Sequence, residues 1–531
     1  MPFDILVLNG TIVDGTGKPR YTADVGVSGG RIEAIGRLSD AEAARRIDAS
    51  GHVVTPGFID MHSHSDWTLL YARGAESRVH QGITTEVIGN CGTTPFPVGP
   101  GGQASLERAH VEEIEWDWTD LDGWARHLET GGISLNLAPQ LGQGSLRVAV
   151  GATDDRPATE DEVREMRRLA AESVEQGAFS LTTGLTLPPS SFAATEEIVA
   201  IVEAIAPYED AFYASHARLW AGRHVAAVEE CVEVGRRAGV PSQYSHMAII
   251  DPRAYGDGEQ MVAPIERARA EGLDAAYDVY PYTAAGTNLQ QLVPEWLQEG
   301  GAQAMLERLR DPDTRRRAIQ DTAHGYFRGL PFEWDRLVLD YIATDANRPL
   351  VGKSIAEVAE ARNATGEETM LALIDEEDNR VGVVAHNRVE PDVRFFLAHP
   401  LAMIGSDGSS VSPTGVFAKD RPHPRFYGTY PRILGRYVRE QPAVLTLEDA
   451  IHKMTGFPAS RMSFRDRGTV AEGNVADLVV FDPETIIDQA TFDDPHRYPL
   501  GMPHVMVNGA LVVADGNHTG ARPGRVLRRG G

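Results

Sequence analysis

The chain has 531 residues, too many for one small core, so we expect a barrel-sized domain and a smaller second domain. Its formal net charge of -26 at pH 7 argues against nucleic acid and anionic membranes as partners, and no apolar run is long enough to span a bilayer. Two cysteines far apart and an N-terminus without a secretory pattern predict a cytoplasmic protein that lacks a disulfide framework.

Short strands separated by turns are predicted at both ends of the chain. Asn9-Gly10 interrupts an apolar run near the start, and Asn508-Gly509 interrupts a similar run near the end. Asn-Gly between apolar runs is the strongest short-range hairpin signal, so we expect a hairpin at each position. Residues 1–55 and 466–531 are therefore expected to build one small β-sandwich domain together.

Between these ends, predicted strands alternate with predicted helices. The first of eight candidate strands ends at Asp60, and the others lie at residues 83–88, 133–137, 178–181, 211–214, 242–245, 275–279 and 401–404. Alternation of strands with amphipathic helices indicates parallel βα units, and eight units indicate an α/β fold with a (β/α)8 TIM-type barrel over residues 56–465. In such a barrel the functional side chains lie at the carboxyl ends of the strands.

The segment at about residues 290–400 is too long for one connection of a barrel. It is rich in Arg, Glu and Ala at helical spacing, so we expect a mainly helical insertion before the last barrel strand. An insertion at this point would overhang the mouth of the barrel. The sequence leaves two alternatives open, a lid over the site and a surface addition without a catalytic role.

The first predicted barrel strand ends in two histidines one residue apart, His62 and His64. Residues i and i+2 of a strand point to the same side, so both imidazoles can approach one metal ion. Histidine is the commonest protein ligand of zinc-like metals, and a bound cation acidifies water for hydrolysis. The alternative is a chance His-x-His in a loop. Further candidate ligands at later strand ends favour the metal site.

Three more candidate ligands follow predicted strands. Cys91 stands in Gly-Asn-Cys-Gly after the second strand, His216 ends the fifth and His246 ends the sixth. They form a Cys-His-His set that leaves a position for water, as a catalytic zinc site requires. The two histidines of the first strand would bind a second ion or complete the shell of the first. Cys231 falls within a predicted helix, and we assign it to the core.

Asp407 follows the predicted eighth strand, within Gly-Ser-Asp-Gly. A carboxylate near a metal-activated water can accept its proton and later pass that proton to a leaving amine. An Asp-Gly turn without a catalytic role is the alternative. The position at the end of the eighth strand favours the catalytic role.

Taken together, these residues resemble the amidohydrolase superfamily, in which His-x-His follows strand 1, histidines follow strands 5 and 6, and an aspartate follows strand 8. Many members carry a carboxylated lysine after strand 4, but none of the four lysines of this chain lies there. Gly-Asn-Cys-Gly in its place is similar to the N-acyl-D-amino-acid deacylase (D-aminoacylase) branch. The resemblance covers nearly the whole chain and includes residues 278–282, 405–408, 423–429 and 476–481.

The resemblance implies a role for each candidate residue. It gives three ligands of one tightly bound zinc ion and two residues lining a weaker second site: Cys91, His216 and His246, then His62 and His64. Asp407 would be the general acid/base. Tyr280 and Arg425 would bind the α-carboxylate of the substrate, with Thr287 nearby, and arginine suits this role because its planar fork forms two hydrogen bonds with a carboxylate.

The sequence departs from the pattern of that branch at two positions. The lysine expected two residues after His246 is Ala248, and a serine expected after Tyr-Pro-Tyr is Gly286. Loss of a cation and a hydroxyl weakens a carboxylate-binding site. A bulkier N-acyl group, a dipeptide or a substrate without a free carboxylate is therefore an open alternative to a simple N-acyl-D-amino acid.

The sequence as a whole predicts a zinc-dependent hydrolase of linear amides that acts on a small-molecule N-acyl-D-amino acid or a related D-configured amide. Cyclic-amide hydrolysis is disfavoured by the missing bridging lysine, and ring deamination by the lack of a carboxylate to protonate the ring. A non-catalytic scaffold on the same fold is the alternative from another class of protein. That alternative predicts lost ligands, whereas every expected ligand is present. The sequence gives no information on oligomeric state.

Overall fold

Strands from distant parts of the chain meet in four sheets within the residues that the structure describes. The computed structural model describes residues 2–99 and 116–530. The strands are β1 (Phe3–Ile12), β2 (Tyr21–Ser28), β3 (Arg31–Gly36), β4 (Ala43–Asp48), β5 (Val53–Pro56), β6 (Phe58–Asp60), β7 (Ile83–Ile88), β8 (Asn136–Pro139), β9 (Leu141–Gly142), β10 (Ser180–Gly184), β11 (Phe212–His216), β12 (Ser242–Tyr244), β13 (Ala275–Val279), β14 (Ala285–Asn288), β15 (Leu337–Ile342), β16 (Val381–Ala385), β17 (Ala402–Ile404), β18 (Leu478–Phe481), β19 (His504–Val507), β20 (Ala510–Ala514) and β21 (Asn517–His518).

Helices occupy most of the connections between the central strands. In the described ranges the α-helices are Ser65–Thr68, Glu76–Val79, Leu121–Gly131, Gln143–Val150, Glu160–Glu175, Thr195–Val202, His224–Ala238, Gly258–Ala270, Gly301–Arg310, Pro312–Thr322, Ile355–Arg362, Gly366–Glu376, Glu390–Ala398, Arg425–Arg432, Leu447–Met454 and Gly456–Arg461, and a π-helical segment spans Ile433–Arg439. None of the described helices combines the length and the apolarity that a bilayer-spanning segment needs.

The helix Glu160–Glu175 shows how the sequence sets these elements. Thr159 caps it, since its hydroxyl accepts the Glu162 backbone N–H while the Glu162 carboxylate accepts the Thr159 backbone N–H at 2.7 Å. Met166 and Val174 are fully buried at helical spacing, and charged residues occupy the other positions. The helix therefore packs one apolar stripe against the strands and leaves a charged surface outside.

Strands from both ends of the chain form one nine-stranded sheet. The order is β21-β20-β19-β18-β5-β1-β2-β3, and β4 pairs with β1. Val54 of β5 pairs with Val480 of β18, and both side chains are buried in the apolar cluster of this sheet. The first and last segments of the sequence therefore share one hydrophobic core.

The two Asn-Gly pairs of this sheet fold differently. Asn508 and Gly509 have φ of 49° and 82° and make the two-residue turn between β19 and β20. Asn9-Gly10 instead lies within β1, so the hairpin predicted there is wrong. Asn9 has φ of 61°, its backbone N–H donates to Asp24 Oδ1 at 2.8 Å, and the register with β2 shifts beside it. β1 pairs with β2, β4 and β5 on both sides of Asn9, so the chain continues as a strand. The left-handed Asn9 therefore produces a bulge in β1 and not a turn.

Parallel strands occupy the middle of the chain. β6, β7 and β8 pair in that order, and β9, β10, β11, β12, β13 and β17 pair in that order. Gln140 alone separates β8 from β9, and the Met61 N–H donates to the Ile404 carbonyl at 3.2 Å, which brings the ends of β6 and β17 together. Parallel strands alternating with helices confirm the predicted α/β class, and they place their carboxyl ends on the same side.

The chain between β13 and β17 carries a second cluster of helices and strands. β14, β16 and β15 form an antiparallel sheet in that order, and its helices pack on a hydrophobic core of their own. The sequence analysis predicted helices here but not the sheet. β16 is a short apolar run that periodicity cannot distinguish from a buried helical segment, and β14 contains Gly and polar residues.

Candidate metal centre and substrate cavity

The carboxyl ends of four parallel strands bring the predicted metal ligands into contact. Cys91 Sγ lies 3.3 Å from His62 Nε2 and 3.5 Å from His246 Nε2. His246 Nε2 lies 2.9 Å from His216 Nδ1. His64, two residues beyond His62, completes the group. All five side chains that the sequence analysis selected as metal ligands therefore meet in one place.

These donors form two overlapping sets. His62, His64 and Cys91 have ligand atoms within 4.8 Å of one another, and so do Cys91, His216 and His246. Each set combines sulfur and imidazole nitrogen, the donors that zinc prefers. His246 Nε2 faces both His216 Nδ1 and Cys91 Sγ. A cation shared by these three atoms explains their approach better than hydrogen bonds between them. The residues present therefore fit a zinc-like ion, and Cys91 belongs to both sets.

The environment of Cys91 favours its thiolate. Burial of the side chain raises the pKa of the thiol, but the nearby His62, His246 and His216 act in the opposite direction and hold the pKa well below its ordinary value. Cys231 is the contrasting case, since burial with no such partner raises the pKa of its thiol. Cys231 is buried in the core, as predicted, and Cys91 has the character of a metal ligand.

Three residues of the site hold a left-handed backbone that is unusual for residues with a side chain. Cys91 has φ of 54°, His246 of 38° and Asp407 of 52°. Each lies two or three residues after the end of a parallel strand, where the chain turns away from the sheet. Backbone strain of this kind concentrates at functional sites, where the surrounding structure fixes it. The three residues with this backbone all contribute side chains to the common centre.

Two residues that the sequence analysis did not select orient the histidines. Asp278 Oδ1 lies 3.1 Å from His62 Nδ1 and also accepts the backbone N–H of His246 at 2.8 Å. The Thr186 hydroxyl contacts His216 Nε2 and leaves Nδ1 directed at His246. Carboxylate and hydroxyl partners of this type fix the ring orientation of metal-binding histidines. Asp278 is the first residue of the Asp-Val-Tyr-Pro-Tyr segment, and the family resemblance of that segment was the only sequence signal that pointed to this residue.

Asp407 lies between the candidate ligands and the predicted carboxylate-binding residues. Its Oδ1 is 3.0 Å from His64 Nε2 and 3.8 Å from His62 Nε2, and its Oδ2 accepts Arg425 Nη1 at 2.7 Å. Burial raises the pKa of the Asp407 carboxyl, but Arg425 and the hydrogen bond with His64 outweigh burial and hold the pKa well below its usual range. Asp407 is therefore ionised, and its Oδ1 faces the candidate metal ligands.

A buried ionic network holds the first and last parallel strands together beneath this site. Arg78 donates from Nη2 to Asp60 and from Nε to Glu86 Oε1 at 2.7 Å, and all three side chains are fully buried. The Ser406 hydroxyl donates to Asp60 Oδ2 at 2.5 Å. Asp60 is two residues before His62, and Ser406 is adjacent to Asp407. The network thus fixes the two strand ends that carry these functional side chains.

A cavity of about 780 Å³ opens above the candidate metal ligands. Its walls come from the strand ends on one side and from the segment between β13 and β17 on the other. Tyr280 and Arg425 lie in it, joined by a hydrogen bond of 2.9 Å from Arg425 Nη1 to the tyrosine hydroxyl. Thr287 also lines the cavity and donates to Gln291 Oε1 at 2.5 Å. A cavity of this size accommodates a small-molecule amide.

The two positions that depart from the branch pattern also face this cavity. Ala248 and Gly286 line it. A Cβ placed on Gly286 would lie 3.4 Å from Arg425 Nη2, and the Gly286 carbonyl accepts that nitrogen at 3.4 Å. A side chain at position 286 would therefore meet the arginine at ordinary contact distance, and the packing does not require glycine here.

Fold and site together define a metal-dependent hydrolase of the amidohydrolase type. The family model described as the amidohydrolase family matches residues 45–513, and the chain belongs to that family. A D-aminoacylase from Alcaligenes xylosoxydans xylosoxydans is 35% identical over 538 residues, covering 99% of this chain and 98% of that protein.

Two solved structures match the fold over nearly the full length of both chains. A D-aminoacylase studied for the role of its binuclear metal centre, with one-metal activation and second-metal attenuation, is 35% identical with a TM-score of 0.81 and covers 99% of this chain and 100% of that one. N-acyl-D-glutamate deacylase from Bordetella bronchiseptica, solved with zinc and a phosphonate that mimics the tetrahedral intermediate, is 32% identical with a TM-score of 0.83 and the same coverage. These relatives confirm the resemblance to the N-acyl-D-amino-acid deacylase branch.

Proposed function

We propose that this protein is a zinc-dependent deacylase that hydrolyses N-acyl-D-amino acids to a carboxylic acid and a free D-amino acid. One observation carries the proposal: Cys91, His216 and His246 converge beside Asp407 at the base of a cavity that also contains Arg425. The similarity to a D-aminoacylase and an N-acyl-D-glutamate deacylase over the full chain supports the same substrate class.

In this proposal Cys91, His216 and His246 hold the tight zinc ion, and His62 and His64 line a weaker second site. A bound zinc ion supplies a Lewis acid that polarises the amide carbonyl and lowers the pKa of water. Thr186 already holds the His216 ring at Nε2, and Asp278 holds the backbone N–H of His246.

Asp407 is the general base and then the general acid. Its carboxylate accepts the proton of the attacking water, and the protonated carboxyl returns that proton to the departing amine nitrogen. The second oxygen of the carboxylate stays on Arg425, which fixes its direction during both transfers.

The amino-acid half of the substrate lies towards Tyr280, Thr287 and Arg425. Arg425 offers Nη2 to this part of the cavity, because its Nη1 donates to Asp407 and to Tyr280, and the Tyr280 hydroxyl adds a donor. The acyl group extends along apolar residues that the inserted segment contributes to the cavity, such as Leu306.

The architecture that we propose around this site is a closed barrel of eight parallel strands over residues 56–465, with an inserted subdomain at about residues 290–400. Residues 1–55 and 466–531 form the smaller β domain, with its strands in two layers. The contact between the ends of β6 and β17 supports closure of the barrel.

Turnover of zinc-loaded protein on matched enantiomers tests the proposed function. The panel holds N-acetyl-D-leucine, N-acetyl-L-leucine, D-leucine-terminated dipeptides and N-acetyl-D-leucinamide, and release of the free amine is measured. We expect hydrolysis of the D-configured acid and none of its L enantiomer. Turnover of the dipeptide or the carboxamide alone would replace the proposed substrate with one of the alternatives that Ala248 leaves open, and equal turnover of D and L acids would contradict it.

A further inference from the structure

Arg388 is a buried cation without an anionic partner in the wall of the substrate cavity. Only 8% of its surface is exposed, and its Nε is buried without a hydrogen-bond partner. Within residues 2–99 and 116–530, no carboxylate lies within 4.0 Å of its guanidinium. Buried arginines are paired in almost all proteins, because an isolated buried charge is costly.

Other buried arginines of this chain follow that rule. Arg78 contacts Asp60 and Glu86, and Arg147 contacts Glu197. Arg388 differs from them because its side chain faces the cavity. An unpaired cation at a cavity wall is a site for an anionic group of the ligand.

The position of Arg388 is fixed relative to the predicted carboxylate-binding residues. Its Cζ lies 4.3 Å from the centre of the Tyr280 ring, and the Cζ of Arg425 lies 4.9 Å from the same centre. The backbone N–H of Arg388 donates to the Thr283 carbonyl at 3.2 Å, which holds the residue beside the Tyr-Pro-Tyr turn. Two guanidinium groups therefore lie close to one tyrosine ring.

These two cations differ in how far they are neutralised. Arg425 has Asp407 as its counter-ion at 2.7 Å, whereas Arg388 has none among the described residues. An incoming carboxylate therefore gains more from Arg388 than from Arg425. Ala248, on the same cavity, supplies no charge of its own.

From this arrangement we infer that Arg388 binds a carboxylate of the amino-acid half of the substrate, as the partner of Arg425 across Tyr280. The inference rests on the proposed function and makes it more specific, because it requires an anionic substrate despite the alanine at position 248. Two sources supply the same chemistry, the α-carboxylate of any N-acyl-amino acid and the side-chain carboxylate of an N-acyl-D-glutamate.

Arg388→Met tests this role because methionine keeps the apolar stem and removes the charge. Kinetics are measured on N-acetyl-D-leucine, N-acetyl-D-leucinamide and N-acetyl-D-glutamate, with Arg164→Met on the exposed face of a helix as the control variant. We expect kcat/KM for the acids to fall about 10- to 100-fold in Arg388→Met, mostly through KM, as for a lost charge-assisted hydrogen bond. The ratio of acid to carboxamide turnover should fall by the same factor.

The substrates separate the two carboxylates. If kcat/KM falls for both acids and changes little for the carboxamide, Arg388 binds the α-carboxylate. If kcat/KM falls for the glutamate substrate alone, Arg388 binds the side-chain carboxylate of the substrate. An unchanged acid-to-amide ratio and unchanged turnover of the glutamate substrate would overturn the inference and leave Arg388 as a structural partner of Tyr280.

Two further measurements keep the inference separate from folding and from the proposed function. If thermal unfolding shows that Arg388→Met is not folded, Arg388→Lys and Arg388→Gln are compared instead. Lysine keeps the positive charge but loses the planar guanidinium, so Arg388→Lys should raise KM less than Arg388→Gln, which loses the charge. If the wild-type protein turns over none of the three compounds, the proposed function fails. Calorimetric binding of N-acetyl-D-leucine and N-acetyl-D-glutamate then tests Arg388 alone. We expect about tenfold weaker binding of either acid in the variant. Unchanged binding of both acids would contradict the role of Arg388.

Discussion

Arg425 and Asp407 form a buried ion pair in which Arg425 Nη1 donates to Asp407 Oδ2 at 2.7 Å. The same nitrogen donates to the Tyr280 hydroxyl at 2.9 Å. One guanidinium therefore joins the proposed proton-transfer group to the proposed substrate-binding residues. Binding of a substrate carboxylate at Arg425 would position the reacting amide relative to Asp407, which links recognition to chemistry.

Replacing Asp407 by asparagine should abolish most of the turnover while preserving the site. Asparagine keeps the size of the side chain and its contact with Arg425, but it cannot accept a proton. General acid-base groups contribute about 10²–10⁴-fold, so we expect kcat to fall by about that factor. Zinc content and thermal stability should stay close to the wild-type values. Asp161→Asn, at an exposed helix position, is the matched control. A wild-type kcat in Asp407→Asn would contradict the assignment of Asp407 as the general acid/base.

Replacing Cys91 by serine should remove the tight metal ion. The thiolate is shared by both donor sets, and a serine hydroxyl is a poor zinc ligand. We expect the zinc content of dialysed protein, measured by mass spectrometry, to fall about tenfold or more, together with turnover. Cys231→Ser changes the other buried cysteine and should retain zinc. Stoichiometric zinc in Cys91→Ser would show that the ion is held elsewhere.

The Arg78 network predicts a large effect on stability. Arg78→Met would leave the buried carboxylates of Asp60 and Glu86 without their cation. Breaking a buried network in this way costs about 3–5 kcal/mol of the free energy of unfolding, measured by urea denaturation. Arg168→Met, which removes exposed pairs with Glu165 and Glu172, should cost less than about 1 kcal/mol. Similar midpoints for the two variants would contradict the role of the network.

Asp340 predicts a pH dependence of substrate binding. Burial raises the pKa of this cavity-lining carboxyl to about 7, with Arg425 opposing the rise and Asp420 adding to it. Asp340 is therefore neutral below about pH 7 and negative above it, where it repels a substrate carboxylate. We expect KM for an N-acyl-D-amino acid to rise as the pH increases through 7 and Asp340→Asn to flatten this rise.

The matched control for that profile is Asp345→Asn, an exposed aspartate of the same segment. It should keep the wild-type dependence of KM on pH. A rise in KM that persists unchanged in Asp340→Asn would assign the titration to another group.

Much of the candidate site could be predicted from the sequence because its residues occupy strand ends. His62, Cys91 and Asp407 each follow a short buried strand, and parallel strands place such positions on one side of a sheet. Neither the distances nor the left-handed backbone of Cys91 and Asp407 follows from that pattern. They depend on the turn that each chain segment makes after its strand.

Other parts of the site depend on tertiary contacts that leave no local pattern. Arg78 lies eight residues before Glu86 but contacts Ser406, 328 residues away. Arg388 follows an antiparallel strand that the sequence analysis took as part of a helical insertion. The Asn-Gly pairs show the same limit in the fold, since identical dipeptides give a bulge at Asn9 and a turn at Asn508 according to the strands around them.

A zinc titration of metal-free protein, with turnover of N-acetyl-D-leucine and N-acetyl-L-leucine measured at each point, tests both the metal requirement and the stereospecificity of the proposed deacylase. We expect hydrolysis of the D enantiomer to rise with zinc and to reach its maximum near one equivalent, while the L enantiomer stays unhydrolysed. Hydrolysis of the D enantiomer without metal, or equal hydrolysis of both enantiomers, would contradict a zinc-dependent D-specific deacylase.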